Sequence, residues 1–282
     1  MQNVQLVIID PQADFMDTQD AALAVSGATA DMQRTAKFVE RVGNKLGDIH
    51  VTFDSHNSVG IERPGMWVDD NGDYAPPFTI ITAADVEARI WQPRNGHLKP
   101  GALGGQTIQQ YMLDYVKALE AQGNYPLMVW PTHCVIGSSG WALQPDLFGA
   151  LSDWELKQFA TINRVTKGSC PWTEHYGALS AEVPLANDPS TGLNTGFLSM
   201  LQDADMIAIS GEALSHCVMS TVNQIADNFG DSLLGKFYLL TDAMSPVGQA
   251  PGGPDFPAIS ADWLKRMEAR GMHLTTTTEF LA

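Results

Sequence analysis

The stretch Met206-Ile207-Ala208-Ile209-Ser210-Gly211-Glu212-Ala213-Leu214-Ser215-His216-Cys217-Val218 decides the fold class. It opens on an apolar run of strand character, Gly211 punctuates it, and Val218, Val222, Ile225 and Phe229 then recur on one helical face. A strand that feeds directly into a helix is the building unit of α/β proteins. Cys217 sits at the junction, where the helix dipole presents its positive end and backbone N–H groups point outward. That setting favours the ionised thiol and suits a nucleophile. A free cysteine is equally at home as a small buried hydrophobe, so both readings of the thiol stand at this point.

Working outward, the same unit recurs. Val4 to Ile9 reads as a buried strand running into Asp10-Pro11-Gln12-Ala13-Asp14-Phe15, and Asn163 to Thr166 ends in Lys167-Gly168. Ligands of open α/β sheets bind beyond the carboxyl ends of the strands, where Asp10, Lys167 and Cys217 all fall. Further strands are predicted over Ile49–Phe53, Leu127–Trp130, Phe159–Val165, Met206–Ser210 and Phe237–Thr241. Helical faces are formed by Met32, Thr35, Val39, Val42 and Leu46, closed by Gly47, and by Ile108, Tyr111, Met112, Tyr115, Val116 and Leu119. The alternation predicts one three-layer α/β/α unit over residues 1–282, with a mostly parallel sheet of about six strands. Two irregular stretches break it, at about residues 60–100, with Pro64, Pro76, Pro77, Pro93 and Pro100, and at about 169–194. Loops this long usually carry function, and both follow strands that end in candidate site residues, so they are read as walls of the cleft.

Composition narrows the class. With 32 acidic and 16 basic residues the net charge is -16, which excludes nucleic acid and anionic membrane as natural partners. No apolar stretch approaches the roughly 18 residues of a spanning helix. The amino-terminal segment lacks the sections of a secretory signal, and the three cysteines form no disulfide framework, so a cytoplasmic protein is expected.

A second constellation is metal-like. In Asp54-Ser55-His56 the carboxylate and the imidazole are one residue apart, so an extended chain turns both to one side. Trp130-Pro131-Thr132-His133-Cys134 adds a histidine just past another predicted strand. Two histidines and a carboxylate leave open positions on a divalent ion, zinc first, with iron or manganese as alternatives. Glu62 is within reach as a further ligand, and His97 ranks below it for want of a positional argument. A D-x-H is short and arises by chance, so spacing alone leaves this site open.

Together, D-x-Q-x-D-F at Asp10–Phe15, D-x-H at Asp54–His56, W-P-x-H-C-V at Trp130–Val135, Lys167-Gly168 and the segment Gly211–Val218 resemble the isochorismatase-like cysteine hydrolase superfamily, and within it the nicotinamidases. The resemblance implies a catalytic triad of Asp10, Lys167 and Cys217 and a metal held by Asp54, His56 and His133. It implies a cis peptide between Glu212 and Ala213, an oxyanion hole from the N–H groups of Ala213 and Cys217, and ring-flanking roles for Phe15 and Trp130. The activity implied is hydrolysis of a small-molecule amide, nicotinamide to nicotinate and ammonia in NAD salvage; a homo-oligomer is expected on the general ground that such folds commonly form one.

Departures bear on the substrate more than on the chemistry. Ser55 stands where nicotinamidases usually carry an aromatic residue, Glu62 stands where some members carry a histidine, and the stretch from His56 to Trp130 is much longer than in compact members. Three alternatives remain at this stage: an amidase for an N-carbamoyl, ureido or other carboxamide compound, a metal-dependent hydrolase with Cys217 a bystander, and a catalytically silent binding protein.

Overall fold

The computed structural model describes residues 2–94, 96–99, 101–249 and 253–282; Pro100, expected in the first insertion, lies outside them. In chain order the elements are strand β1 (Val4–Ile9), helix α1 (Ala28–Val42), β2 (Leu46–Asp54), the short β3 (Trp67–Val68) and β4 (Ile80–Ile81), helix α2 (Ala83–Glu87), the short β5 (Gln92–Pro93), helix α3 (Ile108–Gln122) and β6 (Leu127–Met128). Helix α4 (Pro145–Gln158), β7 (Asn163–Lys167), α5 (Thr195–Gln202), β8 (Met206–Gly211), α6 (Met219–Phe229), β9 (Phe237–Leu240), α7 (Phe256–Ala269) and β10 (His273–Thr275) follow.

Six strands form one sheet in the order β10-β9-β8-β1-β2-β7, with every neighbouring pair parallel. All six residues of β1 are buried, as a central parallel strand covered on both faces requires, which is why its sequence is an unbroken apolar run. Its side chains alternate between two cores. Val4, Leu6 and Ile8 face a layer built on Met32, Val39, Leu147 and Trp154 of α1 and α4, while Val7 and Ile9 face Phe197, Val222, Ile225 and Trp263 of α5, α6 and α7. This is the expected three-layer arrangement. Because β1 is flanked by β2 on one side and β8 on the other, the chain reverses its direction of winding at β1. A crevice therefore opens beyond the carboxyl end of β1. The register sets Asp54 directly opposite Lys167 and Ile9 opposite Gly211, so the candidate site residues leave the sheet side by side.

Several expected elements differ. The run Leu127–Trp130 is not a strand of the central sheet: Leu127 and Met128 pair antiparallel with β4 in a separate ribbon. The strand expected over Phe159–Val165 begins at Asn163, because Phe159 caps α4 in the left-handed conformation (φ 52°). Helix α1 stops at Val42, and Leu46 and Gly47 already belong to β2. The sixth strand is β10, too short and polar for its periodicity to be read. Helices α2, α4, α5 and α7 lie outside the expected set.

The first insertion is not bare loop. Ile61, Trp67, Ile81 and Val86 pack with Tyr115 and Leu119 of α3 and with Trp172 of the second insertion into a third core beside the sheet. Hydrogen bonds from Tyr111 Oη to the Trp172 carbonyl (2.6 Å) and from the Glu174 N–H to Tyr115 Oη (2.9 Å) fix the second insertion to α3. Packing of this kind holds Glu174, His175 and Tyr176 in place at the crevice. Among the described residues no helix is long and apolar enough to cross a membrane.

Candidate active site

Asp10 follows β1 directly, in the left-handed region at φ 46°, a conformation uncommon outside glycine and held here by Thr52 of β2. The Asp10 N–H donates to Thr52 Oγ1 (3.0 Å), and the Thr52 hydroxyl donates to Asp10 Oδ1 (2.5 Å). Lys167, the last residue of β7, places Nζ 3.0 Å from Asp10 Oδ2, 2.8 Å from Asp54 Oδ1, 3.0 Å from the His175 carbonyl and 3.7 Å from Cys217 Sγ. All three expected triad residues are buried, and Lys167 touches both of the others.

Their electrostatics follow from that burial. Desolvation would drive the Lys167 ammonium towards neutrality, but Asp10 and Asp54 overcome it and hold its pKa well above the ordinary lysine value. Burial pushes Asp10 up, with Lys167 opposing. Burial also pushes the Cys217 thiol well up, against Lys167. Desolvation at this junction therefore works against the helix-dipole effect expected from the sequence, and Lys167 works with it.

Cys217 does not sit on a regular first turn of α6. Leu214–Val218 is a π-helical turn, closed by the Val218 N–H donating to the Ala213 carbonyl (3.2 Å), and such wide turns recur at functional sites. The peptide between Glu212 and Ala213 is cis, at the position the resemblance implied. The N–H groups of Gly211, Glu212 and Leu214 donate to the carbonyls of Ala243, Ile9 and Ser245, whereas the Ala213 N–H has no partner among the described residues. It is left free to bind an oxyanion.

Asp54, His56 and His133 form a compact trio, all buried, their ligating atoms within 4.8 Å of one another. His56 Nε2 lies 2.8 Å and His133 Nε2 3.2 Å from Asp54 Oδ2. On the far side, His56 Nδ1 is in charge contact with Glu62 Oε1 (3.1 Å), and His133 Nδ1 is 2.7 Å from the Pro131 carbonyl and 2.9 Å from an Arg63 guanidinium nitrogen. With Nδ1 of each ring turned to Glu62 or Pro131, deprotonated Nε2 atoms would face inward on a metal, which is how metal-binding histidines are oriented. The donor set fits a borderline divalent ion such as zinc. Glu62 is placed differently from its expected role as a ligand, because it stands behind His56 and orients the ring. Arg63, fully buried, joins the two halves: Nε contacts Glu62 Oε1 (3.0 Å), and its guanidinium donates to the carbonyls of Pro131 (2.8 Å) and His133 (3.0 Å). His97 is exposed and outside the trio.

Lys167, Cys217 and the trio line one pocket that opens to solvent, and Asp10 lies behind them, fully buried. Phe15 leans on His133 (centroids 5.4 Å apart), and Trp130 donates through Nε1 to Tyr176 Oη (3.0 Å), so both expected ring-flanking residues line the wall. The second insertion supplies Glu174, His175 and Tyr176 to the lining, as expected of a cleft wall. The first insertion, also expected as a wall, is not among the lining: it stands behind it, with Glu62 and Arg63 behind the trio and Phe78 edge-on to Trp130 at 6.2 Å, because its apolar residues pack into the third core instead. Sequence reasoning missed Thr52, Arg63, His175, Tyr176 and His216. For Thr52 a signal existed, since it shares a strand face with Asp54 two residues on; for Arg63 there was none.

No family model matches the chain, and no curated protein matches it by sequence. Solved structures do. The Acinetobacter nicotinamidase/pyrazinamidase aligns at TM-score 0.61 and 18% identity over 99% of each chain. The yeast nicotinamidase aligns at TM-score 0.62 and 18% identity over 96% of this chain and 99% of its own. The pyrazinamidase of Pyrococcus horikoshii, solved in complex with zinc, aligns at 0.52 and 18% over 97% and 99%. The protein thus has the isochorismatase-like α/β fold, the one these nicotinamidases and pyrazinamidases share.

Proposed function

We propose that the protein is a cysteine-dependent amidohydrolase of the nicotinamidase type, acting on a small carboxamide and using a bound divalent metal, zinc first. The observation that carries this reading is Lys167 Nζ, 3.0 Å from the Asp10 carboxylate and 3.7 Å from the Cys217 sulfur in the wall of an aromatic pocket. A binding protein has no need to bury an acid, a base and a thiol together.

Asp10 takes the thiol proton, its raised pKa making it a competent base, while Lys167 stabilises the sulfur anion. The thiolate attacks the amide carbon, and the developing oxyanion receives the free Ala213 N–H together with that of Cys217. Asp10 returns the proton to the leaving nitrogen, which departs as ammonia and leaves a thioester. Water then attacks as Asp10 accepts its proton, and collapse releases the carboxylic acid and restores the thiol. A metal on Asp54, His56 and His133 supplies a Lewis acid for a ring nitrogen or a water molecule. Phe15, Trp130 and Tyr176 offer faces and edges to a flat ring.

Ammonia release from nicotinamide, pyrazinamide, N-carbamoyl amines and ureido acids tests the reading, with metal analysis of the same sample. Turnover of the pyridine and pyrazine amides, lost in Cys217→Ala, is the expected result. Preference for carbamoyl compounds would move the protein to another amidase class. Turnover that survives loss of the thiol would end the mechanism.

A further inference from the structure

The residue between β8 and the oxyanion donor is an acid. Glu212 is fully buried, and Asp31 in the first turn of α1 is nearly so. Glu212 Oε2 accepts the Ser245 N–H (3.3 Å), and the Ser245 carbonyl in turn accepts the Leu214 N–H (2.8 Å), so the acid and the nucleophile turn share one support. Asp31 Oδ1 is held by Arg34, whose Nε donates to the Asp242 carbonyl. Two oxygens remain: Glu212 Oε1 and Asp31 Oδ2 are both buried with no other partner. Asp31 is among the groups that act on the Glu212 carboxyl, by charge and through a side-chain hydrogen bond. Two adjacent desolvated carboxylates cannot both ionise, and a single proton between them satisfies both orphaned oxygens.

We propose that Glu212 and Asp31 share one proton, and that this carboxyl–carboxylate bond is a positioning device that ties the turn from Gly211 to Cys217 to helix α1 and so fixes the Ala213 N–H. The fixing of the oxyanion donor rests on the hydrolase reading; the shared proton does not. The charged groups facing the pair are few. Helix α1 presents Asp31 and Arg34. The loop after β1 presents Asp17, ionised because hydrogen bonds from Thr29 and Gly27 lower its pKa to about 2. Among the described residues, the segment after β9 offers the neutral Ser245 N–H and the Asp242 carbonyl, while the Asp242 carboxylate is engaged by the Thr277 N–H and hydroxyl. One partly exposed guanidinium therefore faces up to three carboxylates, and the proton stays. Burial and then Asp31 hold the Glu212 carboxyl well above the ordinary range. When it is lost at high pH, the two anions repel and the turn loosens.

Infrared spectroscopy of the metal-loaded protein, unlabelled and with 13C-labelled glutamate and aspartate, reads the proton directly. An un-ionised carboxylic acid C=O band at pH 7, isotope-shifted and absent from both Glu212→Gln and Asp31→Asn, is expected. A wild-type-minus-Glu212→Gln spectrum without such a band would overturn the shared proton, whether or not the protein hydrolyses an amide. In turnover, Glu212→Ala should lower kcat by about 100-fold with little change in KM, the cost of a misplaced oxyanion donor. Glu212→Gln, which bonds Asp31 without needing a proton, should recover most of that loss and remove the alkaline fall in kcat. Equal kcat and equal pH profiles in Glu212→Gln and Glu212→Ala would overturn the positioning role.

Discussion

Asp54 and Lys167 stand directly opposite each other on β2 and β7, and their side chains meet at 2.8 Å through Asp54 Oδ1. The other oxygen of the same carboxylate faces His56 and His133. One side chain thus joins the thiol chemistry to the candidate metal centre, and its charge is held by the partners on both sides. Burial alone would raise its pKa, but His56 and Lys167 bring it well below the usual carboxylate value.

Metal content separates ligands from orienting groups. His56→Ala or His133→Ala should reduce bound zinc from about one ion per chain to near none. Glu62→Gln should keep the stoichiometry and weaken affinity by about 10- to 100-fold, the usual cost of losing an outer-shell carboxylate. Competition with a chromogenic chelator measures this; a loss of stoichiometry in Glu62→Gln would make Glu62 a ligand after all.

Asp10→Asn should lower kcat by a factor of about 100 to 10,000, the range for loss of a positioned general base. Intact-protein mass spectrometry should still find Cys217 alkylated by iodoacetamide. Wild-type turnover in the variant would place the base elsewhere.

Removing the cation beside the sulfur should make the thiol harder to ionise. In Lys167→Met the pH midpoint of Cys217 alkylation should move upward, since Lys167 is the group that opposes the effect of burial on this thiol. A downward or unchanged midpoint would show that Lys167 does not stabilise the thiolate.

Arg63→Ala should destabilise the fold by about 3–5 kcal/mol, because it strands the buried Glu62 carboxylate. Urea unfolding of the metal-free protein reads the difference. A change below about 1 kcal/mol would mean that water enters and takes over the guanidinium's contacts.

Glu182, partly buried in the second insertion, has its pKa raised from 4.5 to about 7 by burial, against hydrogen bonds from the Tyr176 and Gly177 N–H groups. The folded state then binds this proton more tightly than the unfolded state. Its contribution to stability therefore falls as pH rises from about 4.5 and levels off above about 7. Unfolding midpoints at pH 5 and pH 8 should differ less in Glu182→Gln than in the wild type; an identical difference in both would place the titration on another group.

The sequence by itself determined the elements whose burial is periodic and whose chemistry lies next to them in the chain. Runs such as Val4–Ile9 and Met206–Ile209 must be covered on both faces, so they announce a parallel sheet, and Asp10, Lys167 and Cys217 were legible because each follows such a run. Only the tertiary structure decided the rest. Leu127–Met128 has the composition of a core strand, but its partner is Ile80–Ile81 in a side ribbon, and pairing is a long-range choice that local pattern does not encode. Glu62 and Arg63 carry no local signal, for their roles depend on His56 and on His133, 70 residues beyond Arg63, being brought against them. The sign of the Cys217 shift likewise depends on how much water the fold removes, a property of packing from every side of the thiol and of no single segment.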